Sequence, residues 1–366
     1  MKHIKTATLE GKKVLIRVDY NLPVDDKNLP TDDSRIVATL PTLKWLLASG
    51  VEQIVIMTHW GRPEKEDDTW RLMPIAQVLA KILKDQGLIG TERVMTKTTR
   101  MKSPILTRQY CIGRSITMLE NLRFDPREEE NSSELAKEIA SLADLYVNDA
   151  FATCHRAHTS LVAITKELPS YAGMLLLDEV SHLNAIRNIE DRPFVAIIGG
   201  AKIKDKIPVI NMMRKKADAI LIGGKTANEY YAEITEDVDK LVFPSDGVDE
   251  SGKIVPFDKD TVKNNPPYDI GPDTLVRFKG ILKTAKTVFW NGSLGMAESQ
   301  KFCHGSNEIA RFIANMRAVT VISGGDTAQI VDKLKLKNRY SYISTGGGAA
   351  SKYIAGEELP GIEALS

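Results

Sequence analysis

The stretch FVAIIGGAKIKDKIPVINMMRKKADAILIGG, residues 194–224, decides the fold. A short apolar run ends at Gly199-Gly200, a lysine-bearing segment follows, and a second apolar run ends again in Gly223-Gly224. The apolar runs have the length of strands and the segment between them the length of a helix. Such alternation argues for a parallel sheet covered on both faces. The same rhythm extends outward. Upstream strand candidates are VLIRV (14–18), QIVIMTH (53–59), SITMLEN (115–121) and LYVNDA (145–150). Downstream they are TVFWNG (287–292), VTVISGG (319–325) and YSYISTG (340–346). Helical spacing fills the intervals in LPTLKWLLASG (40–50), MPIAQVLAKILKDQG (73–87) and SSELAKEIASLADL (132–145), the last with serines and an asparagine near its start to cap it.

A chain of 366 residues has room for two domains. A boundary is expected near Leu168-Pro169-Ser170, with YAGMLLLDEVSHLNAI (171–186) as a connecting helix. That division gives a first domain over 1–170, a second over 171–345 and a closing segment over 346–366. The polar stretch from Asp237 to Pro272 is expected to be irregular around one or two short strands. The 49 basic and 48 acidic side chains leave a net charge of +1, which points to neither nucleic acid nor a membrane surface. No apolar run approaches the ~18 residues of a membrane-crossing helix. The N-terminus lacks the apolar core of a signal peptide. Three scattered cysteines suit a reducing compartment. A cytoplasmic protein acting on small molecules is the expectation.

Open parallel sheets bind ligands at the carboxyl ends of their strands. In the first half those ends carry Asp19 and Asn21, then His59 and Arg62, then Arg123, then His155, Arg156 and His158. Arg35 follows the acidic loop Thr31-Asp32-Asp33-Ser34. A lone arginine is usually a surface charge. Four arginines at strand ends of one half point instead to a small polyanion, whose carboxylate and phosphate oxygens match guanidinium forks. The His155/His158 spacing fits no closed zinc pattern.

The second half ends its strands in glycine: Gly199-Gly200, Gly223-Gly224, Asn291-Gly292, Gly324-Gly325-Asp326-Thr327 and Gly346-Gly347-Gly348. Glycines let backbone amides approach phosphate oxygens, and a helix N-terminus adds a favourable field. Lys202 and Lys206 share a face if GGAKIKDK is helical, and would reach the phosphates of one nucleotide. Asp326 is the carboxylate best placed for a phosphate-bound magnesium ion. GxxxxGK[ST] and a GxGxxG after the first strand are both absent, which disfavours Walker-type ATPases and dinucleotide-binding folds. One half for an anion and one for a nucleotide suggest phosphoryl transfer, a chemistry of positioning and charge neutralisation.

These motifs resemble the phosphoglycerate kinase family. RVDYNLP (17–23), TDDSRI (31–36), THWGRP (58–63), LENLRF (119–124) and VNDAFATCHRAHTS (147–160) find counterparts in order. So do GGAKIKDKI (199–207), WNGSLGMAE (290–298), GGDTA (324–328) and STGGGAA (344–350). The resemblance implies two doubly wound, Rossmann-like α/β domains joined by a helix and hinge, with a C-terminal segment returning to the first domain. It implies reversible transfer between 1,3-bisphosphoglycerate and ADP, giving 3-phosphoglycerate and ATP, with Mg2+ and a monomeric chain. It implies that Asp19, Asn21, Arg35, His59, Arg62, Arg123 and Arg156 hold 3-phosphoglycerate. Arg35 and Lys202 would stabilise the transferring phosphoryl. Lys206, Asn291, Gly324, Gly325 and Thr327 would hold the nucleotide phosphates, Glu298 the ribose and Asp326 the metal. Gly346, Gly347 and Gly348 would face the phosphoryl in flight.

The chain departs from the family pattern at Lys225, Pro267, Ser293 and Ala297, all expected around the base and ribose, which leaves nucleotide preference open. A protein that kept the arginine site and lost turnover is the alternative, against which Lys202, Asp326 and Glu298 stand intact. A dinucleotide oxidoreductase shares the fold class and lacks the fingerprint.

Overall fold

Strand β1 (Lys13–Arg17) is buried from Val14 onward, as a parallel strand covered on both faces must be. In the computed structural model, which describes residues 1–201, 203–233 and 239–366, it lies inside a seven-stranded sheet. The other members are β2 (Gln53–Met57), β3 (Met95–Thr98), β4 (Arg108–Ile112), β5 (Ile116–Leu119), β6 (Leu145–Asn148) and β7 (Ser170–Ala172), in the order β3–β4–β5–β2–β1–β6–β7. Strands β5, β2, β1, β6 and β7 run parallel. Strands β3 and β4 add an antiparallel edge. Helical spacing does not foretell that edge, because β3 is exposed at all four residues and carries no apolar pattern.

A second sheet contains β8 (Phe194–Ile198), β9 (Ala219–Ile222), β10 (Leu241–Val242), β14 (Thr287–Asn291), β15 (Val319–Ser323) and β16 (Tyr342–Ile343). All its pairings are parallel, in the order β10–β9–β8–β14–β15–β16. The order reverses between β8 and β14, which makes their carboxyl ends a topological switch point. The polar stretch before Pro272 folds in part as a small antiparallel sheet of β11 (Asp246–Val248), β12 (Ile254–Pro256) and β13 (Asp269–Ile270); its first two residues, Asp237 and Val238, lie outside the described residues. The chain is thus α/β with two parallel-sheet cores, one around Tyr20, Trp60 and Tyr110 and one around Phe278 and Trp290.

The chain divides into two compact units, Met1–Val180 with Glu358–Ser366, and Ser181–Glu357. The helix Met174–Arg187 spans the first division. Its start is tied to the first sheet: Asp149 Oδ1, just after β6, accepts from Leu175 N at 2.9 Å and Leu176 N at 3.2 Å, and Thr42 Oγ1 accepts from Met174 N at 3.0 Å. A Cβ at Gly173 would overlap the Asp149 carboxylate. In the closing segment, Gly361 N donates to Cys154 O at 2.9 Å, which seats the short helix Pro360–Glu363 on the first unit.

The helix Ser34–Ala48 begins before its apolar spacing does, at Ser34 rather than near Leu40, and includes Pro41. Asp32 fixes the start, accepting from Ser34 N at 2.7 Å. Val37 and Pro41 are both exposed, so the carbonyl that proline leaves unpaired faces water. This early start puts Arg35 on the first helical turn.

Burial pushes the Asp149 carboxyl up to about 6, against the pull of the amides it caps. The folded chain therefore holds this proton more tightly than the unfolded one, where the value is 3.8. The group's contribution to stability is full below about pH 4 and is lost as pH rises through about 6. Asp149→Asn keeps the capping oxygen and removes the titration. Denaturant unfolding of both proteins from about pH 4 to 7 should show the wild type losing on the order of 3 kcal/mol relative to the variant. A pH-independent difference would contradict the assignment.

Candidate active site

Two loops at the carboxyl ends of β1 and β2 are stitched together in the first unit. Tyr20 N donates to Thr58 Oγ1 at 2.9 Å, and Gly61 N donates to Asn21 Oδ1 at 2.9 Å. Trp60 Nε1 donates to Leu22 O at 3.0 Å. Gly61 has a φ of +65°, and a Cβ there would overlap the Trp70 ring, so glycine is required. The turn after β5 is bound to the same loops. Asn121 Oδ1 accepts from Trp60 N at 3.2 Å and Arg123 N at 3.1 Å, while its Nδ2 donates to Trp60 O at 2.8 Å and Trp70 O at 2.9 Å. The buried Glu120 anchors this turn, accepting from Tyr110 OH at 2.6 Å, Asn121 N at 2.9 Å and Leu72 N at 3.0 Å.

On this frame the charged side chains converge. Asp19 accepts from Arg35, whose place on the first helical turn brings it back over β1. Arg123 pairs with Glu129 and is pushed down to about 10, by burial first and then by Arg156, Arg17 and Arg62. Arg156 is lowered by burial and by Arg62 and Arg17, with Asp19 opposing. His59 is held well below the usual histidine range by burial and by Arg17, Arg123, Arg156 and Arg35. His158 is pushed down to about 3 by burial and by Arg123, Arg17, Arg156 and His155. Asp19, Asn21, Arg35, His59, Arg62, Arg123 and Arg156 thus share one site. Guanidinium groups this close repel one another, and an anion relieves that repulsion.

Arg17 is the residue that strand-end reasoning misses. It lies within β1 and is 1% exposed. Its guanidinium donates to Ser160 Oγ at 3.0 Å, to Val18 O and to His59 Nδ1, 3.2 Å away. Behind it, the buried Glu128 accepts from Ser160 Oγ at 2.6 Å and Ser160 N at 2.9 Å. A signal was present: an arginine inside VLIRV, an otherwise apolar strand, must find buried partners.

The second unit builds its site from backbone. Gly199 N donates to Asn291 O at 3.0 Å and Gly200 N to Ser293 O at 2.8 Å, so the ends of β8 and β14 abut. A Cβ at Gly292, whose φ is +96°, would overlap Gly199 O. Lys206, near the start of the helix Ile203–Lys216, donates to Asn291 Oδ1. Asn291 Nδ2 donates in turn to Ser351 Oγ at 3.3 Å, and Ser351 donates to Gly347 O at 3.4 Å, which brings the Gly346–Gly348 loop to the same crevice. Gly292 N donates to Thr327 Oγ1 at 2.8 Å. The first hydrogen bond within the helix Gly325–Lys333 joins Ala328 N to Gly324 O, 3.1 Å apart, so the amides of Gly325, Asp326 and Thr327 lie outside its ladder. Lys202 lies outside the described residues.

Beside this crevice is a cavity of about 800 Å³, lined among others by Gly200, Lys225, Pro267, Met296, Glu298 and Asp326. Its size suits a nucleotide-sized ligand. Asp326 is exposed on the first helical turn. Among the described residues no group of three or more His, Cys, Asp or Glu side chains would hold a metal by itself. Lys225 pairs with Glu229 at 3.4 Å, and Asn228 Nδ2 donates to Pro267 O at 2.9 Å.

The phosphoglycerate kinase family model matches residues 4–261 and 225–357. The chain is 38% identical to a phosphoglycerate kinase of Fervidobacterium nodosum over 99% of its own length and 98% of the relative's. It is 37% identical to that of Desulforudis audaxviator, covering 100% of this chain and 98% of that one. The crystal structure of the Pyrococcus horikoshii phosphoglycerate kinase superposes with a TM-score of 0.82 at 30% identity, covering 100% of this chain and 98% of the other. A likeness this long, on a fold with an arginine site in one unit and a glycine-lined site in the other, makes the chain a member of the phosphoglycerate kinase family, a phosphotransferase that acts between 1,3-bisphosphoglycerate and ADP.

Proposed function

We propose that the arginine site of the first unit takes 3-phosphoglycerate and that the glycine-lined crevice and cavity of the second take the nucleotide. The observation that carries this division is the contrast in chemistry. Mutually repelling guanidinium groups crowd the first site, whereas helix amides and the Lys206–Asn291 pair line the second. Arg62, Arg123 and Arg156 would hold the phosphate and carboxylate oxygens by paired N–H donors. Asp19 and Asn21 would meet the substrate hydroxyl, and Asp19 would also orient Arg35. In the second unit Lys206, Asn291 and the amides of Gly324, Gly325 and Thr327 would cradle the nucleotide phosphates. Glu298 would accept from the ribose.

Arg35 and Lys202 would face the phosphoryl from opposite substrates, and Gly346–Gly348 would add helix amides. Charge accumulates on the equatorial oxygens as the phosphoryl moves, and fixed cations and amides stabilise it without reorganising. Asp326 would hold Mg2+, and a single carboxylate fits an ion that draws its other ligands from phosphates and water. Bound there, Mg2+ supplies charge neutralisation at the phosphates. Transfer requires the substrates to meet, so the reading includes closure of the two units about a hinge, which also excludes water. A monomer in a reducing cytoplasm completes the proposal. The three cysteines are free, as a reducing compartment would leave them.

Arg35→Ala tests the catalytic assignment. In a coupled assay with ATP and 3-phosphoglycerate, kcat should fall by a factor of roughly 10² to 10³, about 3–4 kcal/mol in the barrier. Nucleotide affinity should be nearly unchanged. Near-normal turnover would remove Arg35 from the reaction.

Nucleotide preference is tested separately. Lys225 and Pro267 both line the cavity where the base would sit, and a proline offers no backbone donor to a ring edge. A single base contact is worth about 1 kcal/mol, so GTP should be used within roughly tenfold of ATP in kcat/KM. An ATP preference above about a hundredfold, some 2.7 kcal/mol, would show a selective adenine site.

A further inference from the structure

We propose that Arg17 is a positioning residue that locks the His59 imidazole as a neutral hydrogen-bond donor through Nε2, and that Ser160 and the buried Glu128 hold Arg17 in place to do so. The argument begins with donor inventory. A guanidinium has only donors, so the 3.2 Å contact between Arg17 and His59 Nδ1 makes Nδ1 the acceptor. An imidazole accepting at Nδ1 carries its proton on Nε2 and is uncharged.

The competing partner is Asp19, whose Oδ1 lies 3.8 Å from the same nitrogen. That is beyond hydrogen-bond length, and the other Asp19 oxygen already accepts from Arg35. The remaining charged groups felt by the ring agree with the neutral form. Arg35 from the helix Ser34–Ala48, Arg123 from the turn Leu122–Phe124 and Arg156 all disfavour an imidazolium, as does burial.

The support behind Arg17 has one consistent polarity. Ser160 Oγ has a single proton, which goes to Glu128 Oε1 at 2.6 Å, and its lone pair accepts from Arg17 Nε at 3.0 Å. Glu128 Oε2 takes the Ser160 amide at 2.9 Å. Burial pushes the Glu128 carboxyl above its ordinary range, while Arg17, the two hydrogen bonds from Ser160 and Arg123 pull it back toward the charged form; His158 Nδ1 lies 3.8 Å from its Oε1. The relay therefore joins three distant segments of chain to one ring nitrogen. Its consequence is chemical. A protonated histidine would add one more cation to a crowded arginine site, whereas a neutral one presents an N–H to a phosphate or carboxylate oxygen without further repulsion. Its contribution also does not vary with pH across the physiological range.

The effect on glycerate affinity rests on the substrate assignment made above, whereas the tautomer does not. The test is nitrogen NMR of the imidazoles in the full chain, without ligand. His59 should show Nδ1 unprotonated and Nε2 protonated, with no titration step between about pH 5.5 and 8.5. A proton on Nδ1, or a step in that range, would overturn the proposal. In the second measurement, Ser160→Ala should raise KM for 3-phosphoglycerate roughly fivefold to tenfold, the scale of one hydrogen bond, with KM for the nucleotide within about twofold. An unchanged KM for the glycerate, or an equal rise for both substrates, would overturn the relay. If the site took another anion, the unaltered chain would show no turnover of 3-phosphoglycerate at all, while the imidazole result would still decide the tautomer.

Discussion

The buried guanidinium of Arg17 is the constraint on which the first unit's site depends. Taking an unpaired cation out of water costs several kcal/mol or more, so β1 can carry arginine in its apolar interior only if the surroundings answer each of its nitrogens. They do so from separated parts of the sequence: Val18 O on the same strand end, Ser160 backed by Glu128, and His59 beyond β2. Satisfying one charge therefore fixes the relative placement of the loops that carry Asp19, His59 and Arg156. The neighbouring Asn121 and Glu120 do the same for the turn bearing Arg123. A rigid frame is needed because the clustered arginines repel one another, and without it they would relax apart.

The second unit solves a different problem. At its strand ends the constraint is close approach of backbone to backbone. At the switch point between β8 and β14, Gly199 and Gly292 leave no room for a Cβ on either side. Their contact places Asn291 beside Lys206 and Ser351, at the mouth of the helix that begins at Gly325. The two units thus present different chemistry at the ends of their strands. One gathers guanidinium groups on a buried counter-network, the other sets backbone amides beside Lys206 and Asn291.

Much of this was legible in the sequence, for physical reasons. The interior strands β1, β2, β5, β6, β8, β9, β14 and β15 are mostly apolar runs, Arg17 in β1 apart, because both faces are covered. Strand β3 has no buried residue, and the members of the small sheet are two or three residues long, so neither leaves a period to find. Arg35 was legible as a charge beside β1, although its helix begins earlier than the apolar spacing suggests, because polar capping at Asp32 rather than hydrophobic periodicity sets that start. The convergence of Arg62, Arg123 and Arg156 follows from the rule that parallel strands gather their carboxyl ends. Glu128 and Ser160 were not legible. They touch no expected ligand, and only the fold brings positions 17, 128 and 160 together.

The central claim is that each unit holds one chemically distinct substrate. Hydrogen exchange on the full chain, with 3-phosphoglycerate alone and with Mg-ADP alone, addresses it most directly. The glycerate should slow exchange around residues 19–21, 58–62, 121–123 and 153–156 and leave the glycine loops as they were. The nucleotide should slow exchange around 199–201, 291–298, 324–328 and 346–348 and leave the arginine site as it was. Protection of the glycine loops by the glycerate, with the arginine site unresponsive, would contradict the account.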